Sequence, residues 1–82
     1  MAKQLRTARH KALMAVIAAE RKKAGFTQRD LAAKMGRADS FFGKIESGER
    51  QLNVLEFCEV ADAFGVNPKN LFAKVIDYTS PT

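Results

Sequence analysis

Eighty-two residues, 46% hydrophobic, leave room for one small domain and none for a second, ligand-sensing one. The lone Cys58 excludes an internal disulfide, and one histidine without any CxxC leaves no metal-ligand set, so the composition suits a cofactor-free chain in a reducing cytoplasm. The net charge of +5 is unevenly spread: residues 1–37 hold ten Lys and Arg against Glu20 and Asp30, while residues 38–82 hold four against seven acids. A polyanion would be met by the first half, unless the basic surface serves only solubility.

Apolar residues recur at helical spacing throughout and no segment alternates with period two, which predicts an all-α fold: a compact five-helix bundle. Residues 1–6 read as a flexible basic arm; Arg6, Arg9 and Lys11 either reach phosphate or a minor groove or stay solvated. His10 reads as a surface residue. A first helix is expected over about 7–24, with Leu13, Val16, Ile17 and Ala24 inward and Gly25 as its stop. Its apolar stretch around Ala12 to Ala19 is short and runs into Glu20, Arg21, Lys22 and Lys23. It reads as an amphipathic helix rather than a signal peptide, and no run approaches the length of a membrane span.

Helix 2 is expected over about 27–35, capped by Thr27 with Asp30 three residues on and Phe26 stapled to Leu31. Gly36 supplies the turn. Helix 3, about 38–46, starts poorly: Ala38 is a weak cap where Asp39 or Ser40 would be about 1 kcal/mol better. Gly43 in mid-helix costs roughly another 1 kcal/mol against Ala. Packing through Phe42 and Ile45 must hold it, leaving Asp39, Ser40, Gly43 and Lys44 on a small, polar side. Gly48 ends it and opens a loop containing Arg50. Two short helices joined by such a turn, residues 27–46, can offer one of them to a DNA major groove.

Helix 4 is marked over about 53–64 by Asn53, Glu56 and the pair Leu52 and Phe57. Helix 5, over about 67–77, is marked by Asn67, Pro68 and the pair Val66 and Leu71. Helix 4 is apolar on too many sides for one stripe. With Val54, Phe57, Ala61 and Phe64 facing the core, Leu55 and Cys58 are left over. Either helix 5 covers them within one chain, or Leu55, Cys58, Leu71, Phe72, Val75 and Ile76 join two copies, placing two reading helices roughly 34 Å apart. Residues 78–82 form a tail.

The runs TQRDLAAKMG, KIESGE and AxAFGVNP resemble the helix-turn-helix of the phage repressor and Cro family, also called the xenobiotic-response-element family, over about residues 17–72. The resemblance implies a lambda-repressor-like DNA-binding domain, a dimer on a near-palindromic double-stranded operator, and helix 3 as the reader. It assigns Gln28 to a backbone phosphate at a helix start. It gives the base-reading positions to Asp39, Ser40 and Lys44, with Asp39 accepting from cytosine N4 and Lys44 donating to guanine O6 or N7. Arg37, Phe41 and Arg50 fall at backbone-contacting positions, Phe41 also within reach of a thymine methyl. Arg21 and Glu46 match the family's internal salt bridge, a structural pair.

The expected function is a transcriptional regulator, most simply a dimeric repressor. The rival in kind is a protein-binding module, such as an antitoxin whose helices 4 and 5 or tail engage another protein. An enzyme is poorly supported by one His, one Cys and no Gly-rich phosphate loop. Single-stranded RNA would want a stacking platform, and Tyr78 is the only aromatic besides phenylalanine.

Overall fold

Four of the five helices begin where a side-chain oxygen takes up an amide that the helix itself leaves without an acceptor. In the computed structural model, which describes residues 7–79, Thr7 Oγ1 accepts from His10 N at 3.1 Å ahead of α1 (Ala8–Lys23). Thr27 Oγ1 accepts from Asp30 N at 3.0 Å ahead of α2 (Gln28–Lys34). Asn53 and Glu56 exchange bonds of 2.8 and 3.1 Å at the start of α4 (Val54–Phe64), a complete capping box. Asn67 Oδ1 accepts from Lys69 N at 2.8 Å at the start of α5 (Pro68–Thr79). The expected arm, residues 1–6, and residues 80–82 of the expected tail lie outside the described residues.

The exception is α3 (Phe41–Glu46), which begins three residues later than the sequence predicts. Ser40 precedes it with φ −82° and ψ −1°, already helical rather than extended, so its hydroxyl makes no cap bond. Residues 38–40 instead form a turn closed by Phe41 N donating to Ala38 O at 3.0 Å. The helix-turn-helix corner is made at Gly36, whose φ of +68° lets Arg37 N reach back to Ala32 O at 2.8 Å and Gly36 N to Ala33 O at 3.1 Å. At the other end of the chain α5 runs to Thr79, so Tyr78 and Thr79 are helical rather than part of a tail.

Helix α1 packs on α5 and α3, α2 on α3, and α4 on α5 around Ile17, Leu31, Phe42, Ile45, Val60 and Leu71, all fully buried. Several expectations are corrected. Ala24 lies past the end of α1 and is exposed, while Ala12 is buried one turn before Val16. His10, expected at the surface, is 8% exposed. Arg9 and Lys11 are exposed but belong to α1 rather than to an arm. In α4 the buried residues are Glu56, Val60, Ala61 and Ala63, so the inward stripe is turned from the expected one and Val54 is 78% exposed. Leu71 and Val75, expected between two copies, are core residues of α5 instead.

Candidate nucleic-acid interface

One carboxylate ties the first three helices together. Glu46, the last residue of α3, accepts from Arg21 of α1 through Nε at 2.8 Å and Nη2 at 3.2 Å, and from Gln28 Nε2 of α2 at 3.0 Å. Arg21 also donates from Nη1 to Phe26 O at 2.8 Å, across the turn between α1 and α2. Both charged partners are nearly out of water, so the placement of α3 on α1 rests on a bidentate pair with little freedom to shift, and the single Gln28 bond ties α2 to the same carboxylate. Gln28, expected at a phosphate, has its amide engaged in this clamp. A Cβ on Gly43 would stand 3.4 Å from Gln28 Oε1, an ordinary contact, so crowding does not demand glycine in α3.

A second charged cluster lies where α3 meets the start of α4. Phe41, expected on the DNA side, is 6% exposed: its ring packs edge-on against Phe42 at 5.1 Å between centroids. The guanidiniums of Arg37 and Arg50 each lie over the Phe41 ring, 4.9 Å from its centroid, and close it off from a thymine methyl. Glu56 holds both of them. Arg50 donates to it from Nη1 and Nη2 at 2.9 and 2.8 Å, and Arg37 Nη1 donates at 3.3 Å. Asn53 N adds a fourth bond at 3.1 Å. The Arg50 hydrogen bonds, followed by the Asn53 amide, bring the Glu56 carboxyl down from the ordinary 4.5 to about 2 against the opposing effect of burial. Arg37 Nη2 reaches Glu59 as well, at 2.8 Å.

The three expected base-reading residues are exposed and adjacent: Asp39 and Ser40 in the turn before α3, Lys44 on α3 itself. Arg29 Nε meets Asp39 Oδ2 at 3.4 Å in a solvent-exposed pair, which offsets the repulsion an isolated anion would feel from phosphate. Among the described residues no ion pair engages Lys44.

A helix-turn-helix family model matches residues 17–71. The chain belongs to the helix-turn-helix family. Among solved structures, an XRE-family like protein from Pseudomonas syringae pv. tomato str. DC3000 is similar over 95% of each chain, at 38% identity and a TM-score of 0.82. No curated protein matches. Membership supports a DNA-binding transcription regulator, and the matched span contains the Glu46 clamp, the Glu56 cluster and the exposed turn into α3.

Glu56, in the first turn of α4, is the residue that sequence reasoning undervalued, taking it only as the return half of a cap. Its available signal was the pair Glu56 and Glu59, three apart and so on one face of a helix that follows Arg50 closely. On another side of α4 and α5, Val54 and Phe72, each more than half exposed, line an apolar trough of about 720 Å³ together with Leu13, Leu52, Phe57 and Cys58, and Leu55 is exposed outside its lining. Cys58 and Ile76 are half-buried. Among the described residues no group of His, Cys, Asp and Glu could hold a metal, and no helix is long and apolar enough to cross a membrane.

Proposed function

We propose that this chain is a dimeric repressor that binds a near-palindromic double-stranded operator with α3 in the major groove. The observation that carries the proposal is the Glu46 clamp, which holds α2 and α3 as one unit while leaving Asp39, Ser40 and Lys44 exposed beside each other. In this reading Lys44 donates to guanine O6 or N7, Asp39 accepts from cytosine N4, and Ser40 bonds either kind of base edge. Gln28, through the amide hydrogen not given to Glu46, sits with Arg37 and Arg50 against the phosphate backbone and sets the register. Phe41 has no part in contact with DNA.

The second copy docks on Leu55, Cys58, Phe72 and Ile76, the members of the expected interface that are not core. A charge there has no place to go when two copies meet. Leu55→Glu is therefore expected to sediment as a monomer while keeping wild-type helical content, because Leu55 is 74% exposed in the single chain. A variant that remains dimeric would move the interface to another face. The exposed Val54, Leu55 and Phe72 also support a second reading, a module that binds a different protein there.

Fluorescence anisotropy against duplexes tiling the DNA upstream of the gene, with a shuffled duplex as control, tests the main proposal. One tile bound tightly by two chains, with affinity falling steeply as salt rises, is the expected result. Equal, weak binding to all duplexes would overturn it in favour of the protein-binding reading.

A further inference from the structure

We infer that Glu56 sets the discrimination between operator and other DNA by masking Arg37 and Arg50 from phosphate. The inference rests on the DNA-binding reading above. Arg37 and Arg50 bring two positive charges to the junction of α3 and α4, and Glu56 with Glu59 brings two negative ones, so the cluster as a whole is neutral. The Glu56 carboxylate is about 10% exposed and receives four hydrogen bonds, so it cannot swing away into water when a duplex approaches.

Masking a charge differs from blocking a contact. A guanidinium carries five N–H donors. The bonds to Glu56 and Gln51 occupy three of those on Arg50, and the bonds to Glu56 and Glu59 occupy two of those on Arg37. Donors remain on both for a phosphate that arrives in register, and stacking on Phe41 fixes where they are. Binding out of register depends on the summed charge near the backbone, which the two acids cancel. Base contacts then make up a larger share of the total affinity.

The test compares wild type with Glu56→Gln, Glu59→Gln and Asp62→Asn on the tightest tile and on the shuffled duplex, over a salt series. Asp62 is an exposed acid on the same helix that lines a shallow groove with Arg37 and Glu59 but pairs with no arginine among the described residues, so its variant makes the same change in net charge without removing a hydrogen bond to either arginine. Glu56→Gln is expected to bind the shuffled duplex about tenfold tighter at low salt, with a log–log salt slope steeper by about one unit. Its operator affinity should rise less, so the ratio of the two falls, although the variant melts at a lower temperature than wild type. Glu59→Gln should shift the same way by a smaller amount and Asp62→Asn by less again.

A merely structural role for Glu56 would lower stability without tightening DNA binding, and that result in a folded Glu56→Gln overturns the inference. Should Glu56→Gln fail to fold, Glu59→Gln decides: a slope no steeper than that of Asp62→Asn overturns the inference and a steeper one supports it. A wild type that prefers no duplex sinks the proposed function instead, whereas preference without any effect of the variants sinks the masking alone.

Discussion

Replacing Glu46 by alanine is expected to lower the melting temperature by roughly 15 °C, which thermal unfolding followed by circular dichroism would measure. Removing one partner of a buried ion pair costs about 3 kcal/mol or more, because the other charge stays out of water without compensation. In a domain of this size each kcal/mol corresponds to about 4–8 °C. In the variant the Arg21 guanidinium would keep only its bond to Phe26 O, and the Gln28 amide would lose its acceptor. Glu49 supplies the comparison: it is exposed and among the described residues accepts a hydrogen bond from Ser47 Oγ alone, so Glu49→Ala should stay within about 0.5 kcal/mol of wild type. Equal, small shifts in the two variants would show that Glu46 is not a clamp. Replacing both partners together, Arg21→Met with Glu46→Leu, should recover much of the loss, since no lone charge is left behind.

Acid is the second strong perturbation, and it acts through Glu56. In the folded protein this carboxyl ionises at about 2, against 4.5 when unperturbed, so the ionised form favours the folded state. The resulting stability is complete above about pH 5 and drains away as pH falls through 4.5 toward 2, amounting to on the order of 3 kcal/mol. That is a large part of the 5–15 kcal/mol typical of a folded domain. Urea unfolding at pH 6, 4 and 3 should show a falling midpoint, and Glu56→Gln should flatten the fall while starting from a lower value. A midpoint in wild type that is level from pH 6 to pH 3 would contradict the strong bonding of this carboxylate.

Whatever is decided within a few residues was legible in the sequence. Thr27, Asn53 and Asn67 cap because the acceptor and the amide it meets are two or three positions apart, and nothing distant can change that spacing. The start of α3 was misplaced because Ser40 takes its backbone angles from the turn, which a list of good capping residues does not encode. In α4 the apolar residues surround the helix, so a period of 3.6 could not choose between Val54 and Val60 as the buried position; packing on α5 does. The place of Arg37 over Phe41 had no local signal, because Glu56 and Arg37 lie nineteen residues apart and meet only once the chain has folded, whereas Arg50 and Glu56 are six apart. The Arg21 and Glu46 pair, twenty-five residues apart, was legible only through the family resemblance.

The shortness of α3 has a further consequence. Six residues without a side-chain cap form no stable helix alone, yet Phe41, Phe42 and Ile45 are half of that helix and belong to the core. Unwinding α3 therefore means opening the interior, and its amides should exchange with solvent water only about as fast as those of the most protected core helices. Such a segment cannot be tuned by local loosening, and a duplex that meets it meets a surface whose conformational entropy was already surrendered when the chain first folded.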